Sequence, residues 1–345
     1  MKKAFTIAVF IVLAAVLTGC GGKKEEKAAA PAKAPAENKV VVYSPLPLEF
    51  LDTITSEFKK ATNIEVEVIA LGTGECLKRI EAEVNNPIAD VQLSGTVSTI
   101  GDRRHLFENY TSANEPSIQD SMKNKEGMLT RFVSIPSVLM INTNLIGNIA
   151  IEGYQDLLNP ALKGKIAACN PATSSSAWEH LVNMLYAMGK GDPEKGWPYV
   201  EQLIKQIDGK LLNSSSAVYK GVADGEYTVG LTFEEGGANY VSAGAPVKLV
   251  YMKEGVVFKD DGVYIVKNAP HMENAKKFVD YVTGKDAQTI INNKLNRRTA
   301  RKDLPESPIL LSKDKINVIQ DNDEYVAKHK QEWLDKFKDL YTSSI

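Results

Sequence analysis

The chain has 345 residues, of which 43% are hydrophobic and 24% are charged, so most of it is globular rather than disordered or collagen-like. At about 150 residues per domain, this length predicts two domains. The 41 Lys and Arg residues nearly balance the 43 Asp and Glu residues. This balance gives no support for nucleic-acid binding, which needs a clustered basic field. The three cysteines are too few for a small disulfide-stapled framework.

The N-terminus has the pattern of a secretion signal. Lys2 and Lys3 precede an apolar stretch over residues 4–16, which is too short to cross a hydrocarbon core of about 30 Å as a helix. Residues 17–20, Leu-Thr-Gly-Cys, resemble the lipobox of bacterial lipoproteins. The resemblance implies a lipoprotein signal peptide over residues 1–19 and acylation of the Cys20 thiol. The alternative is an ordinary cleavage site that happens to contain a cysteine.

Residues 20–38 are rich in Gly, Lys, Glu, Ala and Pro and contain no large apolar side chain. Such a segment buries too little surface to offset its ordering entropy, so we expect a flexible tether. No later stretch contains 18 uninterrupted apolar residues. We therefore expect an extracytoplasmic protein whose only membrane attachment is its lipid.

From residue 39 onward, strand patterns alternate with helix patterns. Strands are predicted over residues 39–43, 64–71, 89–93, 165–168, 229–232, 247–251 and 262–266. Buried helix faces are predicted from Phe50, Ile54 and Phe58; from Leu77, Ile80 and Val84; from Ala177, Leu181, Leu185 and Met188; from Ala275, Phe278, Val279 and Val282; and from Tyr325, Trp333 and Phe337. The alternation predicts a mostly parallel α/β sheet. Two such bodies facing each other suggest a hinged binding protein with a cleft at the strand ends.

The sequence contains only weak signals for an enzyme. The four histidines, His105, His180, His271 and His329, show no metal-binding helical spacing, and we expect packing or surface roles for them. Ser176 and His180 lie four residues apart, a spacing that would allow a nucleophile and its base to meet on one helix face. However, the sequence around them does not have the nucleophile-elbow motif. A hydrolase using Ser176, His180 and Glu234 is therefore an unfavoured alternative.

Clusters of small hydroxyl side chains at strand ends give a stronger signal. Residues 170–177 lie between a predicted strand and a predicted helix, and three consecutive serines there exceed what capping alone needs. Free amides in the first turn of a helix attract anions. Residues 213–216 form a second polar cluster, for which a plain loop is the alternative. The corresponding strand ends of the first lobe carry Ser44, Thr73, Ser94 and Thr96.

Several short motifs together resemble the ferric-ion-type solute-binding proteins of bacterial ABC importers. They are residues 41–44, 89–91, 225–230, 244–247, 261–266 and 274–278. The resemblance covers nearly all of the chain after the tether. It implies an α/β, two-lobed periplasmic-binding-protein clamp (type II) with two crossing strands as its hinge. The implied partners are an ABC permease and its ATPase, with no cofactor, and the protein is expected to be a monomer.

The resemblance also implies how the chain is divided between the lobes. Residues 39–140 and 262–345 form lobe 1, and residues 141–261 form lobe 2. Residues 134–141 and 255–266 are the expected crossing strands. Cys76 and Cys169 then lie in opposite lobes, and we expect both to be free thiols because a bridge would pin the clamp.

Matching the family's iron-binding residues to this chain indicates that the usual iron set is missing. The histidine position falls on Pro47, the carboxylate position on Gly95, and the tyrosine pair on Glu234 and Glu235. The anion-holding positions keep their hydrogen-bond donors. They match Ser174, Ser175, Ser176, Asn213 and Thr232.

A subgroup of similar sequences takes up phosphorylated sugars or phosphonates, so we expect a phosphate-bearing small anion as the ligand. The phosphate would be held by neutral donors without an arginine clamp. Glu234 or Glu235 would accept hydrogen bonds from ligand hydroxyls or an amine. The alternative is a ferric-ion carrier, with Fe³⁺ as the transported ligand and Glu234 and Glu235 as carboxylate ligands.

Overall fold

The computed structural model describes residues 38–209 and 211–344, which contain ten β-strands and ten α-helices. The predicted signal peptide, Cys20 and nearly all of the predicted tether lie outside the described residues. The strands are β1 (Lys39–Ser44), β2 (Glu65–Ala70), β3 (Val91–Leu93), β4 (Thr130–Asn142), β5 (Ile166–Ala167), β6 (Val229–Phe233), β7 (Val247–Val250), β8 (Val256–Ile265), β9 (Arg298–Thr299) and β10 (Val318–Ile319). The helices are α1 (Leu48–Thr62), α2 (Thr73–Ala82), α3 (Val97–Ile100), α4 (Ser175–Met188), α5 (Trp197–Ile207), α6 (Ser215–Ala223), α7 (Glu234–Ser242), α8 (Met272–Thr283), α9 (Lys285–Asn293) and α10 (Asp323–Ser344).

The first helix follows the predicted pattern, whereas one residue predicted for the second helix does not. Phe50, Ile54 and Phe58 are fully buried on one face of α1, and Asn63 ends this helix in the left-handed conformation at φ 57°. Val84 was predicted to face the core from α2. That prediction is wrong, because α2 ends at Ala82 and Val84 is 44% exposed.

Two long strands connect the lobes. The first part of β4 pairs with β8 and β9, and its second part pairs with β6 and β7. The expected mostly parallel sheet is therefore only half right. The pairs β1–β2, β1–β3 and β5–β6 are parallel, but β4 and β8 run antiparallel to each other and β8 runs antiparallel to β3. The chain crosses between the lobes in opposite directions along these two strands, which makes their pairing antiparallel.

Each lobe has its own hydrophobic core. Phe50, Phe58, Phe132 and Phe278 belong to a core of lobe 1, together with residues of β1 and β3. The main core of lobe 2 contains residues of α4 and α5 and three aromatic residues of the middle segment, Tyr154, Trp178 and Trp197.

The last helix corrects the expected division of the chain. Residues 262–345 were assigned to lobe 1, but Val326, Trp333 and Phe337 of α10 are buried in the core of lobe 2. Trp333 lies beside Trp178 and Trp197, with ring centroids 6.2 and 6.5 Å away. The apolar face of α10 is buried against α4 and α5 of lobe 2, and removing that face from water stabilises this position of the helix.

Cys76 and Cys169 are both buried and free. Within residues 38–209 and 211–344, no helix combines the length and the apolar character needed to cross a membrane.

Candidate ligand-binding cleft

A cavity of about 1250 Å³ lies between the two lobes. The loops after β1, β2 and β3 form its lobe 1 wall, and the starts of α4, α6 and α7 form its lobe 2 wall. The crossing strands contribute its floor through Ile135, Ser137, Lys259 and Asp261. Strand ends and helix starts meet here because each βα unit turns at the carboxyl end of its strand.

Most of the predicted site residues line this cavity, and two do not. The cavity wall includes Ser44, Thr73, Ser94, Thr96, Ser174, Ser175, Ser176, Asn213 and Glu235. Thr232 and Glu234 are buried behind the wall, at 1% and 2% exposure. The structure therefore assembles residues from both lobes into one site but leaves these two outside it.

Two serine-rich helix starts open onto the cavity. Ser174 caps α4 by accepting from the amide of Ala177 at 3.4 Å, and Ser214 caps α6 by accepting from Ala217 at 3.3 Å. The cluster at residues 213–216 is thus a helix start rather than the alternative of a plain loop. The Ser-Ser-Ser-Ala pattern, which occurs at residues 174–177 and again at 214–217, is a sequence signal that could have indicated this helix start.

Only part of each serine triplet is used within the protein. The hydroxyl of Ser176 lies 3.1 Å from that of Ser174, and Ser216 has the same relation to Ser214 at 3.0 Å. The hydroxyls of Ser175 and Ser215 form no hydrogen bond within the described chain, and both line the cavity. They are free to donate to a ligand at the positive ends of two helices.

The lobe 1 hydroxyls are mostly occupied by the protein itself. Ser44 donates to the carbonyl of Leu93 at 2.8 Å, which fixes the loop that follows β1. Thr73, in the first turn of α2, is the exception, since its Oγ1 is buried and has no hydrogen-bond partner in residues 38–209 and 211–344. This loop approaches lobe 2, since a Cβ built on Gly72 would lie 3.4 Å from the carbonyl oxygen of Thr173.

Ser94 and Thr96 donate to carboxylates that the sequence did not indicate. Ser94 donates to Asp261 at 2.7 Å, and Thr96 donates to Glu179 at 2.6 Å. The second contact joins lobe 1 to α4 of lobe 2. Asp261 belongs to the motif at residues 261–266, and Glu179 follows the serine triplet by one helical turn. Neither position has a local pattern that distinguishes it from an ordinary exposed acid.

The two glutamates at the start of α7 have different roles. Glu234 pairs with Arg298 at 2.7 Å and accepts from Tyr251, away from the cavity. Glu235 pairs with Arg297 of lobe 1, and burial raises the pKa of its carboxyl while Arg297 opposes that rise.

The expectation of a cavity without arginine is wrong. Arg297 is only 3% exposed, and it lines the cavity with its guanidinium 4.7 Å above the ring of Phe50. One of its nitrogens, Nη1, forms no hydrogen bond to the described part of the chain and lies 3.9 Å from Asp261. Sequence reasoning missed it because Arg297 follows α9 and meets Glu235 only through the tertiary fold.

Ser176, His180 and Glu234 are not arranged as the catalytic groups of a hydrolase. The ring nitrogens of His180 face Tyr154 and the carbonyls of Val138 and Thr232. Glu234 is paired with Arg298, and Ser176 with Ser174. In the described part of the chain, no group of three or more His, Cys, Asp or Glu residues is placed to hold a metal ion.

Two α/β lobes, two crossing strands and a polar cavity at the helix starts define a two-lobed binding protein. Residues 40–294 match the family described as bacterial extracellular solute-binding protein, and the chain belongs to this family. It is therefore an extracytoplasmic solute-binding protein of the kind that delivers small ligands to the permease and ATPase of an ABC importer.

Relatives and solved structures agree with the fold. The chain is 24% identical over 301 residues to iron uptake protein A1 of Synechocystis, covering 84% of this chain and 81% of that protein. It is 24% identical over 247 residues to a putative 2-aminoethylphosphonate-binding periplasmic protein of Salmonella typhimurium, covering 68% and 69%. The periplasmic binding protein AfuA from Actinobacillus pleuropneumoniae, with fructose-6-phosphate bound, superposes with a TM-score of 0.81 at 24% identity, covering 88% of this chain and 98% of AfuA. The expected two-lobed clamp is confirmed.

Proposed function

We propose that this protein captures a phosphate-bearing small anion in its cleft and delivers it to an ABC importer. The observation that carries the proposal is the pair of helix starts at α4 and α6, where the hydroxyls of Ser175 and Ser215 have no partner among the described residues. Lys78 and Lys220 at the cavity rim form no ion pair within the described chain. Fructose-6-phosphate bound to AfuA and the phosphonate in the name of the Salmonella relative support the same ligand chemistry.

The expected binding energy comes from charge-assisted hydrogen bonds. A phosphate oxygen that accepts from a neutral hydroxyl or amide gains about 1.5–3 kcal/mol per bond. The positive ends of the α4 and α6 dipoles also attract the phosphate. The rim lysines add a screened attraction, which makes the affinity fall with salt.

Calorimetry with the unlabelled full-length protein tests this proposal. We expect hexose 6-phosphates or 2-aminoethylphosphonate to bind stoichiometrically without turnover. Replacing both Ser175→Ala and Ser215→Ala should weaken that binding by about 100-fold or more, since two charge-assisted bonds are lost. The matched control replaces Ser343→Ala and Ser344→Ala at the end of α10, and it should leave the affinity unchanged.

The alternative is ferric-ion binding, as the name of the Synechocystis relative suggests. Tyr219 and Tyr240 line the cavity beside Glu235, with ring centroids 5.9 Å apart. Phenolate and carboxylate oxygens are hard ligands that suit Fe³⁺. Tight binding of chelated ferric ion with visible charge-transfer colour, and no heat with organic phosphates, would overturn the phosphate proposal.

We further propose that the mature protein is a monomer, anchored to the membrane by a lipid on Cys20 after removal of residues 1–19. The lipobox-like sequence at residues 17–20 supports the lipid anchor. Intact mass spectrometry of the protein from a bacterial host should report a chain that begins at Cys20 and carries acyl groups. Cys20→Ala should release the protein from membranes, and an unmodified Cys20 would contradict the anchor.

A further inference from the structure

One arginine at the cavity packs against both lobes. Arg297 follows α9 of lobe 1 and lines the cavity, where its side chain is buried. Its guanidinium carbon lies 4.7 Å from the ring centroid of Phe50 in lobe 1 and 5.9 Å from that of Phe233 in lobe 2. Arginine suits this position because its flat, delocalised cation stacks on aromatic faces. The positive charge is therefore fixed in the wall of the cavity.

Two buried carboxylates of the cavity have this arginine as their cationic partner. Arg297 pairs with Glu235 of lobe 2, and its Nη1 lies 3.9 Å from a carboxylate oxygen of Asp261 on β8. In the described part of the chain, neither carboxylate forms an ion pair with a second cation. Lys259, two residues before Asp261 on β8, is bound by Asp321 instead. Two carboxylates therefore share one positive charge here.

Removal of this charge would leave a set of oxygens that suits a metal ion. Burial raises the pKa of the Glu235 and Asp261 carboxyls, and Arg297 opposes the rise at both. Without the guanidinium, the two carboxylates would need a proton or another cation, because uncompensated buried charge is costly. Tyr219 lies close enough to Glu235 and Arg297 for their charges to act on the pKa of its phenol. Carboxylate and phenol oxygens are hard ligands that suit trivalent metal ions.

We propose that Arg297 makes the cavity select anions over metal ions, because its guanidinium is a resident cation that Glu235 and Asp261 hold in the place where a metal ion would bind. This inference rests on the proposed binding of a phosphate-bearing ligand, whose negative charge would otherwise meet two uncompensated carboxylates. Arg297 acts through the charge of the cavity wall and does not need to touch the ligand, so it is a positioning residue. An arginine also keeps its charge at every pH at which the protein is folded, unlike a bound ion that a chelator removes.

Replacing the charge of Arg297 and keeping its bulk tests this role. A methionine at this position is apolar and packs well between two aromatic rings. Terbium(III) is the metal probe, because it is a hard trivalent ion whose luminescence is excited through nearby tyrosines. In phosphate-free buffer, we expect Arg297→Met to bind terbium about 10-fold or more tightly than the wild type does. By calorimetry, we expect it to bind glucose 6-phosphate or 2-aminoethylphosphonate about 10-fold or more weakly.

Three further variants separate the charge from other effects of the substitution. Arg297→Lys keeps the positive charge and should bind terbium no better than the wild type. Arg298→Met is the matched control, because it also removes an ion pair between the lobes but leaves Glu234 uncompensated outside the cavity. It should gain no terbium affinity. Adding Glu235→Gln to Arg297→Met removes one of the two carboxylates and should abolish the gain.

The outcomes separate this inference from the proposal on which it rests. Terbium binding by Arg297→Met that is no tighter than in the wild type, or that is equally gained by Arg298→Met, would overturn the role of Arg297. Unchanged phosphate affinity in Arg297→Met would do the same, and phosphate binding by the wild type would leave the proposed function standing. Tight metal binding by the wild type, with no response to any phosphate compound, would overturn both. If Arg297→Met does not fold, Arg297→Gln is the second variant, with the same expected gain and loss.

Discussion

His180 is held entirely within lobe 2 and serves packing rather than chemistry. Its Nδ1 lies 3.1 Å from the hydroxyl of Tyr154, and its Nε2 lies 3.0 and 2.8 Å from the carbonyl oxygens of Val138 and Thr232. These partners fit a neutral ring that donates from Nε2 and accepts at Nδ1. Burial lowers the pKa of His180 to about 4, although the two carbonyls oppose this change.

This depressed pKa predicts a pH dependence of stability. Between pH 6.5 and about 4 the unfolded chain binds a proton at this histidine and the folded chain does not, so the free energy of unfolding falls as the pH falls. The contribution is about 1.4 kcal/mol per pH unit over that window. Urea unfolding of wild type and His180→Gln from pH 7 to 4.5 should show a weaker acid sensitivity in the variant. His105→Gln, at an exposed histidine, should match the wild type. Parallel profiles for wild type and His180→Gln would contradict the assignment.

Single residues also mark where local sequence patterns stop being informative. The Ser174–176 triplet was recognised because a strand precedes it and a helix follows it. Glu234 and Glu235 are adjacent in the first turn of α7, about 100° apart around the helix axis. Which of them faces the cavity depends on how α7 packs against β4, and a local pattern does not contain that information. Arg297 was missed for the same reason.

At the scale of elements, α10 connects the end of the chain to the core of lobe 2. Its periodicity correctly predicted the helix and the burial of Trp333 and Phe337. It did not predict the partner, because an amphipathic face specifies that a helix packs but not against which neighbour. Tyr325, also predicted to pack, is 37% exposed and stacks on His329 instead, with ring centroids 3.9 Å apart.

The burial of Trp333 predicts a large effect of its removal. Trp333→Ala deletes a fully buried ring and the hydrogen bond from its Nε1 to Glu194 at 3.0 Å. We expect the free energy of unfolding to fall by about 3–5 kcal/mol, as for other buried aromatic truncations. Tyr325→Ala on the same helix is the control and should cost less than about 1 kcal/mol. Denaturant unfolding measures both, and equal losses would show that α10 does not pack as described.

At the scale of the whole molecule, polar contacts join the lobes across the cleft. Arg297 of lobe 1 pairs with Glu235 of lobe 2, and Thr96 of lobe 1 donates to Glu179 of lobe 2. Asn296 donates to Asn239 at 2.7 Å beside the first pair. Hinge bending that opens the cleft must break these contacts, two of which are buried bonds to a carboxylate. The two-lobed architecture was predictable from the motifs, whereas these long-range pairs were not.

The position of α10 also has a consequence for how the protein is made. The residues of α4 and α5 are synthesised well before Trp333 and Phe337 of α10. Until these residues have been synthesised, α4 and α5 expose the apolar surface that they later bury. The core of lobe 2 is therefore complete only once α10 has packed into it, although α4 and α5 are formed much earlier in the chain.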